Sequence, residues 1–284
     1  MKILTRQTGL TLIELMISMA IGLVVISAAL GVMVSNKSAF TFAGNEVRIQ
    51  ENGRFSGSYL KSYIKLAGFT DAFDPVKAGQ PGVDEVIYPA SMGCTGGMAG
   101  NCSIDGPVTD RLTMSYHVPS QEIALNNNFV TCNGFVVTAA NAGAVFHVAD
   151  SFYMNVPNNT LECQSFNLSN GVNVPLGPPL VLTGGIGGFQ VLYGVYTDTE
   201  EETIAVNQQL VYMNATQFAA VPTLDSARVR SIKYAMLMAS DTDTGDTTQV
   251  TDTYFLLDAP QIDVVNGPMA KVFTSTALLR NGGI

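Results

Sequence analysis

The chain has 284 residues, which is enough for one helical segment and one sizeable domain but not for several large domains. Charged residues make up 13% of it, and its 27 glycines and 12 prolines are typical of a turn-rich, β-rich body rather than a helical bundle. The formal net charge of -9 argues against a general attraction to nucleic acid, so nucleic acid is not expected as a direct ligand.

An apolar segment near the N-terminus is the first predicted element. Residues 15–36 contain no charged side chain, and a helix of this length covers ~33 Å, enough to cross the hydrocarbon core of a membrane. Apolar residues surround this helix on all sides, which disfavours an amphipathic helix of a soluble core. A secretory signal peptide cut before Leu30 is the alternative. Against it stands Glu14, because an acid in the apolar core costs ~2.5–3.5 kcal/mol and signal-peptide function offers no compensation.

A short basic leader, residues 1–9, precedes this acid. A cut after Gly9 would expose a new α-amine on Leu10, four residues before Glu14, and a glycine there leaves room for a protease to approach. The sequence of residues 9–14, GLTLIE, followed by a long apolar helix, resembles the type IV prepilin family.

That resemblance implies the fate of the N-terminus. The prepilin peptidase would remove the leader and methylate the amine of Leu10, and assembly machinery would then draw the subunit from the membrane into a helical fibre. Glu14 would be the acid available to the amine of a neighbouring subunit. Pairing would offset part of the cost of burying each charge in the apolar fibre core. A contact between Glu14 and lipid headgroups is the plainer alternative.

The helix is expected to continue past the apolar segment to about Ala67, where Gly68 is a natural C-terminal stop. Its spacing predicts one apolar face that lies on the sheet of the head, formed by Phe40, Val47, Phe55, Tyr59, Tyr63 and Leu66. Three glycines predict bends rather than a straight rod: Gly44, Gly53 and Gly57. Residues 47–55, 66–69 and 271–281 are similar to the minor pilins of the PilW type.

Beyond residue 70 the sequence alternates between short β-prone runs and turn-rich stretches. The predicted strands are Arg111 to His117, Gly134 to Ala139, Val145 to Val156, Phe189 to Tyr196, Gln209 to Tyr212, Val229 to Ala239 and Thr251 to Leu257. We therefore predict an α+β, pilin-like fold in which a long N-terminal helix packs on an antiparallel, β-rich head. The expected domains are a leader (1–9), a transmembrane or filament-core helix (10–36), a helical stem (37–68) and the head (69–284).

Four cysteines lie in the head: Cys94, Cys102, Cys132 and Cys163. An even number outside the cytoplasm favours two disulfides over a metal cluster, because the sequence contains no Cys-x-x-Cys pair. Three pairings are possible. We favour Cys94 with Cys102 and Cys132 with Cys163 for proximity in sequence alone.

Other features of the head give no sign of catalysis, and we expect no enzyme, no cofactor and no metal. Residues 183–188, TGGIGG, lack the lysine of a phosphate loop and predict a tight turn. The acidic stretches 198–202 and 241–246 do not match the EF-hand spacing of a calcium site and are interpreted as solvated loops. The two histidines, His117 and His147, are isolated from ligands at motif spacing.

The resemblance implies a minor type IV pilin that primes the pilus and stays near its tip. Its partners would be major and minor pilins, the prepilin peptidase and the inner-membrane assembly machinery. In a Gram-negative bacterium it would cross the inner membrane once with its head in the periplasm, and then reach the cell surface in the pilus. Twitching motility and adhesion would be downstream roles. The alternatives are a pseudopilin of a type II secretion system and, from another class, a membrane-anchored or secreted binding or enzymatic domain.

Overall fold

The computed structural model of the protein describes residues 9, 11–69, 102–118, 128–141, 145, 147–169, 173–196, 210–220, 229–240, 251–265 and 269–280. Within them lie a long helix, α1 (Leu12–Ile64), a short helix, α2 (Ala215–Ala219), and a 3-10 turn at Val156–Asn158. The strands are β1 (Arg111–His117), β2 (Phe129–Val130), β3 (Val136–Val137), β4 (His147–Asn155), β5 (Thr160–Asn167), β6 (Val174–Pro175), β7 (Leu180–Gly184), β8 (Ile186–Tyr196), β9 (Leu210–Met213), β10 (Val229–Ala239), β11 (Thr251–Tyr254), β12 (Ile262–Val265) and β13 (Ala270–Leu278).

The chain divides into two units, Met1–Val47 and Arg48–Ile284. The described part of the first unit is helical from Leu12 onward. The second unit contains the C-terminal part of α1 and every named strand, and it holds the hydrophobic core. A helix followed by antiparallel strands confirms the predicted α+β fold class.

Two antiparallel sheets form most of the second unit. In the first sheet the order is β1-β4-β5, and the outer edge of β5 pairs with β6 at one end and with β7 at the other. In the second sheet the order is β13-β10-β8-β9. Two hairpins, β2-β3 and β11-β12, complete the described strands.

The predicted strands are confirmed in part. β1 and β10 have the predicted bounds, and the other five predicted strands overlap β3, β4, β8, β9 and β11. The prediction missed β5, although its neighbours in the first sheet give it full antiparallel pairing. Its polar residues Glu162, Gln164 and Ser165 obscured the pattern, because they are buried in the structure and hydrogen-bonded within it.

The C-terminal part of α1 packs on the head through a different face from the predicted one. Phe40, Val47 and Phe55 are 82%, 67% and 51% exposed, so the predicted face was wrong at these positions. The buried face instead carries small and aliphatic side chains at helical spacing: Ile49, Gly53, Ser56, Leu60, Ile64 and Ala67. Small residues let the helix approach the sheet closely, which the bulky aromatic side chains would prevent. Tyr59 and Tyr63 lie half-buried at the border of this face.

A short segment before β1 connects the two sheets. The backbone N–H of Asp110 donates to the carbonyl of Phe189 in β8, and its carboxylate accepts from the N–H groups of Gly106 (2.9 Å) and Val191 (2.7 Å). Burial raises the pKa of Asp110 to about 7, although the two backbone hydrogen bonds stabilise the carboxylate and act to lower the pKa. β1 follows at once, so this carboxyl group fixes where the first sheet begins relative to the second.

Candidate assembly site

The predicted assembly residue Glu14 lies in the first turn of α1. The hydroxyl of Thr11 accepts a hydrogen bond from the backbone N–H of Glu14 (3.3 Å), which satisfies one of the orphan donors of the first turn. Glu14 is the acid of that turn, where the helix dipole favours negative charge. Thr11 is not among the residues predicted from the sequence, although Thr-x-x-Glu is the signature of a helix start.

The N-terminal part of α1 exposes apolar side chains around its whole circumference. Every described residue from Thr11 to Gly44 is exposed except Gly22. Among the described residues, α1 is the helix that is long and apolar enough to cross a membrane, and its most apolar window is entirely unburied. An exposed apolar surface of this size requires lipid or protein around it.

Gly9 is exposed, and nothing lies within 4 Å of the position that a side chain would occupy there. Leu10 lies outside the described residues, so its role as the new N-terminus stays a prediction. Glu14 is also exposed. The residues that follow it along the helix carry no charge as far as Asn36. Cleavage after Gly9 and pairing of Glu14 therefore remain predictions that this geometry permits.

Two glycines of α1, Gly53 and Gly57, face the second sheet. The hydroxyl of Tyr234 in β10 donates a 2.7 Å hydrogen bond to the carbonyl of Gly57. At Gly53 a Cβ atom would lie 2.6 Å from ring carbons of Phe273 in β13, closer than van der Waals contact allows. At Gly57 a Cβ atom would lie 3.6 Å from the Tyr234 hydroxyl, which is an ordinary contact, so the close approach depends on glycine at Gly53.

The end of α1 is fixed to the first sheet by backbone hydrogen bonds. Gly68 adopts φ = 72°, which confirms the predicted glycine stop, and its N–H donates to the carbonyl of Ser115 (2.8 Å). The carbonyl of Phe69 accepts from the N–H of His117 (2.7 Å). The helix therefore enters the head at a defined position beside β1.

A disulfide joins Cys132 to Cys163 of β5, and this is the pairing that the sequence analysis favoured. The two cysteines are 31 residues apart, a loop whose closure restricts the unfolded chain by roughly 3–4 kcal/mol. The hydroxyl of Tyr59 on α1 donates a 2.7 Å hydrogen bond to the carbonyl of Cys132. The disulfide thus holds the loop on which the stem rests.

A buried carboxyl group, Asp150 of β4, lies beside this disulfide. It accepts hydrogen bonds from Ser165 (2.6 Å) and Tyr116 (2.9 Å), and Ser165 also lies 3.3 Å from the Sγ of Cys132. Burial raises the pKa of Asp150 to about 7, partly opposed by these hydrogen bonds. No motif in the sequence indicates Asp150, since it is an isolated aspartate within a strand.

The polar atoms of Cys132, Asp150 and Cys163 lie within 4.8 Å of one another, which is the spacing of a metal site. Metal ligation by cysteine requires thiolates, and here the two sulfur atoms are bonded to each other. This group therefore cannot supply the three ligands of a metal centre while the disulfide is formed.

Of the remaining predicted positions, some lie outside the residues that the structure describes. Cys102 is buried and carries no free thiol, but Cys94 lies outside the described residues, so their pairing stays a prediction. The acidic stretches 198–202 and 241–246 also lie outside them. The turn predicted in residues 183–188 is present, with φ = 72° at Gly185 between β7 and β8.

The two histidines form a buried cross-strand pair, which sequence spacing could not show. His117 and His147 are directly opposite in β1 and β4, with ring centroids 4.8 Å apart. Burial, together with the charge of His117, lowers the pKa of His147 to about 3. This packed pair closes the end of the first sheet near the helix stop.

Comparison with known proteins adds two family matches. A model described as "Prokaryotic N-terminal methylation motif" matches residues 4–30, and one described as "Type IV Pilus-assembly protein W" matches residues 145–281. A search of curated proteins finds no match. Among solved structures, a type IV-like pilin from Thermus thermophilus is similar at 12% identity and a TM-score of 0.45, covering 84% of this chain and 98% of that one.

The two family matches agree with the geometry at both ends of the chain. The methylation motif covers Gly9, the Thr11 cap, Glu14 and most of the exposed apolar helix. The second match begins at Val145 and includes both β5 with its disulfide and β13, against which Gly53 of the stem packs. The chain therefore carries an N-terminal methylation motif of the prepilin type and a PilW-like head, and it is a minor-pilin-like assembly protein of the type IV pilus.

Proposed function

We propose that this protein is a minor type IV pilin that is cleaved after Gly9, methylated on Leu10, and incorporated into the pilus near its tip. The observation that carries the proposal is the placement of Glu14, one acid in the first turn of a helix whose next charged residue is Lys37. Before assembly the apolar segment anchors the subunit in the inner membrane with its head in the periplasm. Its role is structural, through contacts with other pilins and the assembly machinery.

The chemistry of assembly follows from the cost of buried charge. An acid and an α-amine that enter an apolar fibre core each lose hydration, and a pair between adjoining subunits recovers part of that loss. Breaking such a pair by removing one partner typically costs ~3–5 kcal/mol, because the other charge stays buried. Cleavage and the acid are thus coupled: without the new amine of Leu10, Glu14 has no partner in the fibre.

Replacing Gly9 tests the cleavage. We expect Gly9→Val to leave the leader attached, since a branched side chain fills the space beside the scissile bond. Intact mass and N-terminal sequencing of the purified chain measure this directly. Gly31→Val, at a glycine of α1 that also has open space around it, is the matched control and should be cleaved normally. A wild-type chain that begins at Met1 or at Leu30 contradicts the proposal.

Replacing Glu14 tests the assembly. We expect Glu14→Gln to be cleaved normally but to enter sheared pili at a level reduced tenfold or more, because the amine loses its charged partner. Ser18→Ala, which removes a hydroxyl bonded to the Glu14 carbonyl one turn further along, is the control and should assemble normally. Immunoblots of the pilus and membrane fractions give the ratio. Equal incorporation of both variants would sink this role for Glu14.

The priming role has its own signature. A subunit that begins fibres sets their number, whereas one that joins during growth affects their length. We expect cells without this chain to carry fewer pili of ordinary length, as counted by electron microscopy. Intact surface pili combined with lost protein secretion would instead indicate a pseudopilin of a type II secretion system.

A further inference from the structure

β13 forms one edge of the second sheet. Its nine residues pair with β10 in one continuous register without a bulge, and the strand contains no proline. Proteins usually protect a sheet edge from further pairing with proline, a bulge, charged side chains or a covering segment. Along β13 the described residues show only the charge of Lys271, at the second position of the strand. This edge is therefore a template for another strand.

The hydrogen-bond register shows which backbone groups of β13 point outward. The N–H of Leu279 donates to the carbonyl of Arg230, so the odd-numbered residues of this edge face β10. The backbone N–H and C=O groups of Val272, Thr274 and Thr276 therefore point away from the sheet. No hydrogen bond joins these outward groups to another described residue.

The other long edge strand, β1 of the first sheet, is covered. The N–H of Gly68 donates to the carbonyl of Ser115, and Ile104 exchanges two backbone hydrogen bonds with Arg111. At the far side of the second sheet, β9 has only four residues. Among the described strands, β13 is thus the long edge whose outward backbone groups have no strand beside them.

A groove runs beside this open edge, between β13 and the stem. It has a volume of about 260 Å³, and its lining includes Gly57, Ser58 and Lys61 of α1 and Phe273 and Thr274 of β13. A cavity of ~150 Å³ can hold benzene, so the groove has room for a side chain. A strand added to β13 would lie ~4.8 Å further out, with alternate side chains on the stem side. The edge then supplies backbone recognition and the groove supplies side-chain selectivity.

Positive charge borders this edge, although the chain as a whole has a net charge of -9. Lys61 lines the groove, Lys271 lies near the start of β13, and Arg280 is exposed just beyond its end. Arg54 also lines the groove and pairs with the exposed Glu51 at 3.2 Å. Two copies of the same edge would bring like charges together if they paired, whereas an acidic segment would be attracted.

We propose that β13 binds an extended, acidic segment of a different pilin by strand addition, with one side chain of that segment in the groove beside Lys61. Val272, Thr274 and Thr276 would supply the main-chain hydrogen bonds. The inference rests on the proposed function, since it takes the partner from the same fibre. A strand donated by a different subunit fills the edge once, so the contact does not repeat along the fibre and is compatible with a place near the tip.

Replacing Thr274 tests the backbone contact in cells. Thr274→Pro removes an N–H that faces outward, so pairing with β10 should survive while the ladder to the partner is broken. Thr274→Val keeps the N–H and a branched side chain, and it is the matched control. We expect both variants to be cleaved after Gly9 and to keep the wild-type thermal midpoint, but Thr274→Pro to enter sheared pili about tenfold less than Thr274→Val. Equal incorporation of a folded Thr274→Pro overturns the proposal.

A photocrosslinking phenylalanine analogue in place of Thr276, which is exposed, identifies the occupant of the edge. We expect an adduct of this chain with a different pilin, and mass spectrometry should place the link in a segment that contains acidic residues. The same analogue in place of Thr253, exposed on β11, is the control and should not give this adduct. An adduct of two copies of this chain, or no adduct in cells that form pili, refutes the proposal.

Charge reversal tests the acidic character of the segment and does not depend on the proline variant. Lys61→Glu should reduce the Thr276 adduct about tenfold. Lys233→Glu, the same charge change near Tyr212 on β9, should leave the yield unchanged. Equal effects of the two reversals contradict the charge complementarity. If Gly9→Val and Glu14→Gln behave as expected but the adduct is absent, the edge contact is wrong and the proposed function stands. If the wild-type chain never enters pili, the proposed function fails instead.

Discussion

At the residue scale, Asp150 is one of two buried carboxyl groups, with Asp110, whose ionisation affects the stability of the head. Its pKa is raised to about 7 by burial, whereas the same side chain has an ordinary value of 3.8 when solvated. The folded state therefore holds a proton that the unfolded chain releases between these two values. The contribution of this proton to stability is complete below about pH 3.8 and is lost as the pH rises through about 7.

His147 has the opposite effect, since its pKa is lowered to about 3 and the folded state loses stability as the pH falls below 6.5.

Replacing Asp150 separates these contributions. We expect Asp150→Asn to stabilise the protein at pH 8, where the wild-type carboxyl must ionise in a buried site, and to flatten the fall in stability between pH 5 and pH 8. Each unit by which the pKa of a group differs between the folded and the unfolded state corresponds to ~1.4 kcal/mol of stability. Urea unfolding at several pH values measures the slope. Asp150→Ala leaves Ser165 and Tyr116 without their acceptor and should destabilise at every pH. If the stability of Asp150→Asn falls with pH as steeply as that of the wild type, other groups cause the pH dependence.

At the scale of elements, the stem shows what the sequence could and could not reveal. The apolar helix, its acid and the glycine stop were predictable because each follows from local composition and backbone geometry. The buried face of the stem was not, because its contacts are with strands far along the chain, from Ser115 in β1 against Gly68 to Phe273 in β13 against Gly53. Helical spacing alone predicted that the bulky Phe55 is buried. In the structure Gly53 and Leu60 pack against the head instead, and Phe55 is exposed. β5 was missed for the same reason, since its polar residues are satisfied only by neighbouring strands.

The glycine contact gives the prediction for this scale. Gly53→Val places carbon atoms into the ring of Phe273, and overpacking of this kind costs ~1–3 kcal/mol. We expect a lower urea midpoint with an unchanged m-value. Gly44→Val, on the same helix with nothing within 4 Å, should change stability by no more than ~0.5 kcal/mol. A third variant that combines Gly53→Val with Phe273→Ala should recover part of the loss, because it empties the space that the valine needs. Equal midpoints for the two single valine variants would show that the stem is not tightly packed here.

At the scale of the whole molecule, the two units differ in how much apolar surface they expose to solvent. Residues 11–36 expose nearly all of their apolar side chains, whereas Arg48–Ile284 has a core that includes Tyr193, Tyr234 and Phe152. We expect a chain shortened to residues 37–284 to remain soluble without detergent, because it loses the surface that needs lipid or fibre neighbours. Size-exclusion chromatography and the thermal unfolding midpoint measure this. The midpoint should fall under reducing conditions, since the Cys132–Cys163 crosslink lies within the retained unit. A shortened chain that aggregates when oxidised would mean that the head depends on the apolar segment for its fold, and the separation of anchor and head would then be wrong.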